Sequence, residues 1–167
     1  MIGGRRPEHT EAMDWSHYRF LSIWKVPAPP AAVFAVLEHA EDYPRWWPQV
    51  REVARVDEHS GTARFRSLLP YDLLVGVREG RGSLDAGLLE VRLTGDLEGW
   101  VRWTLRPHGA GTVVRYEQEV DVNKPLLRRL AVPGRPFFLA NHALMMRAGR
   151  RGLAARATAL RAAGGAV

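Results

Sequence analysis

A chain of 167 residues, 46% hydrophobic and 25% charged, suits one globular domain whose folding removes about two thirds of its surface from water. Its lack of cysteine excludes disulfides, thiolate nucleophiles and thiolate metal sites, and no apolar run approaches the roughly 20 residues of a membrane span. The net charge of +6 hides an asymmetry: nine basic residues and no carboxylate come after Asp121, which leaves the first 121 residues with 15 basic against 18 acidic. An anionic partner, lipid or nucleic acid, is one reading of that asymmetry. The plainer one is a basic helix packed on an acidic domain, its arginines solvated or paired to strand carboxylates.

Residues 1–16 are polar, with Arg5, Arg6, Glu8, Glu11 and Asp14; they lack a signal-peptide core and are predicted to be a loose tail ahead of a domain over 17–163, with residues 164–167 disordered and the protein cytoplasmic. His17 to Val26 alternates Tyr18, Phe20, Ser22 and Trp24 against His17, Arg19, Leu21 and Ile23, a strand with apolar groups on both faces,. Pro29-Pro30 suits the first turn of a helix, where a missing N–H has no partner to lose, and Val33, Phe34 and Leu37 mark the buried stripe of that helix,. Pro44 and Pro48 limit the next element to a second short helix around Glu41 to Trp47,.

From Val50 to Val122 strands succeed one another at short intervals: Val50 to Asp57, Thr62 to Leu69, Asp72 to Arg81, Leu88 to Leu93, Glu98 to Arg106 and Val113 to Val122,. Turn chemistry at Ser60-Gly61, Pro70, Gly80 and Gly82, Asp85-Ala86-Gly87, Gly95-Asp96 and Pro107 to Gly111 separates them,. Such short links imply an antiparallel meander. In the last strand Val114, Tyr116, Gln118, Val120 and Val122 share one face, which must look inward, because Arg115, Glu117, Glu119 and Asp121 occupy the other,.

Leu126, Leu127 and Leu130 precede an expected break at Pro133-Gly134-Arg135-Pro136, after which a helix should run from Phe137 to Arg161,. Phe138, His142, Met145, Gly149 and Leu153 make one continuous stripe on it, and Phe137, Asn141, Leu144, Ala148 and Ala155 a neighbouring one,. Gly149 and Gly152 each cost about 1 kcal/mol of helix propensity against alanine. They therefore imply a close approach, with the sheet as the expected neighbour,.

One strand, a small helical pair, a six-strand meander and a long helix make an α+β layout in which the sheet must curl around the terminal helix. Several segments carry a family resemblance: the strand ending Val26, Pro27, Ala28, Pro29; the helix Ala31 to Leu37; Tyr43 with Trp46, Trp47, Pro48 and Val50; and Gly99, Trp103, Leu105 and Pro107 with Gly111, Thr112, Val114 and Tyr116 after them. Over residues 17–160 the chain resembles the START-like superfamily, the helix-grip fold of birch-pollen-allergen-like proteins and the polyketide cyclase/dehydrase group. The resemblance implies a curved seven-stranded antiparallel sheet wrapped around the C-terminal helix, two short helices after the first strand, and a cavity for an apolar or polycyclic small molecule. These are packing and turn positions, which specify fold rather than activity. Cyclases of the group use a pocket arginine and tyrosine, a pair the sequence alone does not match.

Candidate ligand-binding residues are Trp47, Phe65, Trp103, Tyr116, Gln118, Phe138, His142 and Met145. Tyr116 and Gln118 offer hydrogen bonds to a carbonyl, Trp103 and Phe65 flat stacking surfaces. Tyr116 and His142 are also the weak catalytic candidates, His142 because an imidazole titrates near neutral pH, although its stripe offers no carboxylate to orient it. Core packing accounts equally for each. Trp46 and Trp47 cannot both point inward from a single turn, so one should plug the cavity and the other cover the surface. Phe65 facing inward turns Arg64 and Arg66 out, and the opposite register gives a pocket arginine. His39, beside Glu38 and Asp42, reads as a surface cluster, and no metal-ligand spacing, phosphate loop or nucleophile elbow occurs,. No cofactor or metal is expected. Three functions fit: a carrier of a hydrophobic small molecule such as a lipid or polyketide, a cofactor-independent cyclase or lyase, or a module whose basic C-terminal region meets anionic lipid or nucleic acid. Nucleic acid is not the first choice, peripheral membrane contact is compatible, and the protein is expected as a monomer or homodimer.

Overall fold

Short turns join strand to strand along the middle of the chain, and the result in the computed structural model, which describes residues 16–66 and 71–164, is a single antiparallel meander,. β2 (Val50–Arg55), β3 (Ser60–Arg66), β4 (Asp72–Ser83), β5 (Leu88–Gly95), β6 (Leu97–His108) and β7 (Gly111–Val122) lie side by side in chain order. β1 (His17–Val26) adds to the far side of β7, with Tyr18 opposite Val120 and Trp24 opposite Val114, completing seven strands. α1 (Pro30–Glu38), a 3₁₀ turn at Ala40–Asp42 and α2 (Tyr43–Trp46) connect β1 to β2. α3 (Pro125–Arg129) and the 34-residue α4 (Ala131–Gly164) end the fold. The curved sheet wraps around α4 in a helix-grip arrangement, the α+β architecture predicted from the sequence.

The inward faces obey the period of two. Thr112, Val114, Tyr116, Gln118 and Val120 are buried along β7, and Tyr18, Trp24 and Val26 along β1, while Leu21 and Ile23, the other apolar face of β1, are more than half exposed. On α1 the buried set is Val33, Phe34, Val36 and Leu37, one residue more than the stripe read from spacing. Thr112 is tied down by a 2.7 Å bond from its hydroxyl to the Ala28 carbonyl oxygen, which anchors the β1–α1 connection to β7.

Three local expectations are corrected. Gly80 and Gly82 are not a turn; β4 continues to Ser83 across a register shift between Glu79 and Gly82, where the missing Cβ of Gly80 lets the Glu90 carbonyl oxygen lie 2.9 Å from the position it would occupy,. The turn between β4 and β5 falls at residues 84–87, where Asp85-Ala86-Gly87 predicts one. The break at Pro133 to Pro136 does not occur either. Pro133 falls in the first turn of α4, where no intrahelical donor is lost, the Gly134 amide donates to the Leu130 carbonyl oxygen at 2.7 Å, and Pro136 forfeits a single bond,. Tertiary contacts hold this turn: the Arg135 guanidinium lies 4.5 Å from the centre of the Tyr18 ring, and Phe138 meets the same ring edge-on at 6.4 Å,. The third correction concerns Gly149 and Gly152, whose neighbour is not the sheet. A Cβ on Gly149 would lie 2.6 Å from the Trp47 indole, and one on Gly152 would collide with the Trp46 backbone carbonyl. The predicted strand end over 67–69, the 1–15 part of the tail and residues 165–167 lie outside the described residues.

Candidate functional site: the cavity between sheet and helix

Because the curved sheet stands off from the buried stripe of α4, the two enclose a cavity of about 640 Å³. It extends from Tyr71, Leu127 and Phe138 beside α3 to a charged margin formed by Glu41, Arg55, His59 and Glu79 at the β2–β3 end. There Arg55 Nε donates to Glu41 Oε1 at 2.6 Å, and bonds from Glu41's own backbone amide and then from Arg55 hold that carboxyl below its usual range,. Between these ends the wall is mainly aliphatic and aromatic.

All eight residues singled out from the sequence line this cavity. Trp47 and Trp103 lie 6.3 Å apart and Tyr116 meets Trp103 at 4.6 Å, so these three rings form one wall of the cavity, with the buried Trp24 packed against all of them,. Phe65 faces in and its neighbours face out: Arg64 donates to Glu52 at 2.7 Å and Arg66 to Asp72 at 2.5 Å, which resolves the register left open by the sequence and leaves β3 with no pocket arginine. Phe138 and Met145 flank His142 along the cavity side of α4.

The expectation that one tryptophan of the pair covers the surface is overturned. Trp46 and Trp47 are both buried, their rings stacked at 5.6 Å and 21°. Trp47 lines the cavity and donates Nε1–H to the Met145 carbonyl oxygen at 2.9 Å, while Trp46 fits against α4 at Gly152, its own Nε1–H buried without a partner among the described residues. Both fit because Trp47 has already left the helix, with an extended backbone at φ −122°, ψ 94°, so the two side chains are not bound to helical directions.

The polar groups in the middle of the wall converge. Gln118 Oε1 accepts from the Tyr116 hydroxyl at 2.5 Å and lies 3.1 Å from His142 Nε2. With Oε1 as the shared acceptor, His142 carries its proton on Nε2, and Nδ1 is left as an acceptor. The imidazole stacks on Phe20 with centroids 3.6 Å apart. Burial lowers its pKa to about 4 and pushes the Tyr116 hydroxyl well above the ordinary tyrosine value,. At neutral pH the trio is therefore uncharged: a neutral imidazole, an amide and a phenol. The absence of a carboxylate near His142 on its own helix was legible; its amide partner from β7 was not.

Sequence reasoning missed other parts of the wall. Tyr18 and Phe20 lie on the same face of β1 as Trp24, a signal visible in the alternation but ambiguous because both faces of that strand are apolar. Tyr43 is half-buried, donates its hydroxyl to the Leu37 carbonyl oxygen at 2.7 Å and closes the α1–α2 corner. Tyr71 has a buried hydroxyl without a partner among the described residues, and burial raises its pKa to about 12. His39 is an exposed residue whose Nδ1 lies 2.8 Å from the Ala35 carbonyl oxygen. Among the described residues no group of three or more histidine or carboxylate side chains is placed to hold a metal ion, and no helix is long and apolar enough to cross a membrane.

Solved structures share this architecture. A Thermus thermophilus protein superposes with a TM-score of 0.71 at 17% identity, over 86% of this chain and 99% of its own. A START superfamily protein from Mycobacterium smegmatis gives 0.67 at 16% identity, over 85% and 98%. The aromatase/cyclase Zhui from a Streptomyces species gives 0.66 at 12% identity, over 85% and 94%. At such identities the likeness is one of fold. No curated protein sequence matches the chain significantly. The sequence pattern of one family does match, over residues 24–163, nearly the whole fold, and the chain belongs to that family, described as polyketide cyclase / dehydrase and lipid transport.

Proposed function

We propose that the protein binds a hydrophobic or polycyclic small molecule, lipid- or polyketide-like, between the sheet and α4. The observation that carries this reading is the 640 Å³ cavity whose mostly apolar wall holds one uncharged polar trio. Pockets for small organic ligands combine that size and apolarity with a few placed polar groups. Trp47, Phe65, Trp103, Phe138 and Met145 supply the contact area. Within the trio, the Gln118 amide N–H groups and His142 Nδ1 have no hydrogen-bond partner among the described residues, so the favoured ligand accepts a hydrogen bond through a carbonyl and donates one through a hydroxyl. Charged headgroups do not suit the middle of this cavity, where desolvation would be uncompensated.

A cofactor-independent cyclase or dehydratase is the second reading, favoured by the neutral His142. An imidazole unprotonated at pH 7 can take an α-proton from a bound ketone while the Gln118 amide steadies the enolate oxygen. Native mass spectrometry of the freshly purified protein tests binding directly: a copurifying apolar molecule of a few hundred daltons is the expected result. Protein that emerges empty and fails to quench its tryptophan fluorescence with either long-chain lipids or polycyclic phenols would sink the binding reading. Turnover of a polyketone by the wild type, lost in His142→Gln with binding retained, separates enzyme from carrier.

A further inference from the structure

The outer surface of α3 and of the first half of α4 combines two features that no contact within the described residues absorbs. One is apolar. Phe137 is 70% exposed, Leu144 45%, Leu126 52% and Leu130 43%. Phe137 and Leu144 are seven residues apart, hence on one face of the helix, about 140° around from the stripe of His142, Gly149 and Leu153 that meets the cavity and core. Both belong to the second stripe seen in the sequence; its Asn141 lines the cavity, whereas Phe137 and Leu144 face away from the fold. The other feature is charge. Arg128, Arg129, Arg147, Arg150 and Arg151 are exposed, and none has a carboxylate within 4.0 Å among the described residues, although the strands carry many carboxylates in ion pairs of their own.

We infer that this face docks the protein on a membrane surface rich in anionic lipid. Phe137 and Leu144 enter the headgroup boundary, and Arg147 and Arg151, within about 80° of them around the helix, meet lipid phosphates. An amphipathic helix with aromatic and leucine residues on one side and arginines beside them suits a bilayer interface, and each basic residue near an anionic surface adds about one more increment of attraction. Charge decides against a second copy of the chain as the occupant, because a two-fold contact through this face would bring like charges together with no carboxylate from α3 or α4 to offset them,. Exposed Phe and Leu decide against a nucleic-acid backbone, which recruits cations but leaves apolar side chains unburied.

The position relative to the cavity gives the docking a purpose. Leu127 and Phe138 line the cavity while their chain neighbours Leu126 and Phe137 lie on the outer face. The docked face is thus one side-chain layer from the apolar interior, and a ligand dissolved in the bilayer would meet the protein at that end.

Co-sedimentation of the full chain with vesicles tests this without reference to any cavity ligand. Vesicles of phosphatidylcholine alone are compared with vesicles containing roughly a third phosphatidylglycerol, at low and at high salt. Binding to the anionic vesicles, weakened by salt, is expected. Phe137→Gln with Leu144→Gln should lower the partition coefficient at least about tenfold, and Arg147→Gln with Arg151→Gln by about the same factor. Thermal melts confirm that these surface variants fold. Absence of binding to anionic vesicles at low salt overturns the proposal. Two other results also overturn it: vesicle binding unaffected by the Phe137 and Leu144 changes, or a wild-type dimer in ultracentrifugation that those changes convert to monomer, which would make the face an interface between copies.

Discussion

Replacing Gly152 or Gly149 by alanine sets two physical effects against each other, and the structure decides the sign. Helix propensity alone favours alanine in the interior of α4 by about 1 kcal/mol. At Gly149 the new methyl would sit 2.6 Å from the Trp47 indole, where ordinary contact begins near 3.4 Å. The ring must therefore slide by about 0.8 Å, straining its Nε1–H bond to the Met145 carbonyl oxygen on the same helix. Overpacking of that kind costs about 1–3 kcal/mol, and a weakened buried hydrogen bond about 1 kcal/mol more. Net destabilisation of about 1–3 kcal/mol is expected for Gly149→Ala. At Gly152 the obstacle is backbone, the Trp46 carbonyl, and side-chain rotation cannot relieve it; the loss should be larger, and the helix should move away from α2. Urea unfolding monitored by tryptophan fluorescence measures both, with Gly164→Ala as a control, because a Cβ there meets nothing within 4 Å. An unfolding midpoint raised by either of the first two substitutions would refute the packing of the double tryptophan on α4.

Stability should depend on pH through His142. Its folded pKa lies near 4 against an ordinary 6.5, so between those values the unfolded chain binds the extra proton; stability is complete above pH 6.5 and is lost as pH falls toward 4,. The component lost between pH 7.5 and 5 is about 2 kcal/mol, and His142→Gln, which keeps a donor for Gln118, should show a smaller acid-side loss in paired denaturant titrations; identical losses would contradict the assignment. Tyr116→Phe removes one of the two donors to Gln118 and should cost about 1 kcal/mol while weakening any ligand that uses the amide, read by melting and by ligand titration. Ala63→Phe, from a buried position on the cavity wall, should abolish ligand uptake with little loss of stability, since the ring enters empty space; retained affinity would place the ligand elsewhere. Thr112→Val should lower stability by about 1–2 kcal/mol by leaving the Ala28 carbonyl without its buried donor,.

The inward run of Thr112, Val114, Tyr116, Gln118 and Val120 was legible because the pleat alternates side chains and the intervening residues are mostly charged, so only one face could be buried. Every cavity residue named from sequence came from such a periodic face or from an aromatic cluster. Element ends were less legible where proline and glycine admit two outcomes. Pro133 and Pro136 read as a break, yet an early proline costs a helix little and Arg135 and Phe138 hold the turn on Tyr18. Trp46 and Trp47 read as one in and one out, yet a change to extended backbone between them frees both to face α4.

Periodicity and turn chemistry, being local, determined by themselves the seven strands, the long terminal helix and the residues that had to face inward. Which strand neighbours β7, that Gln118 rather than a carboxylate meets His142, that Phe65 and not Arg64 enters the cavity, and that Gly149 and Gly152 make room for tryptophans were decided only by the tertiary structure. Each depends on residues far apart in the chain, 98 positions for Trp47 and Met145 and 24 for Gln118 and His142. No local pattern encodes the curvature that brings them together or the space left between sheet and helix.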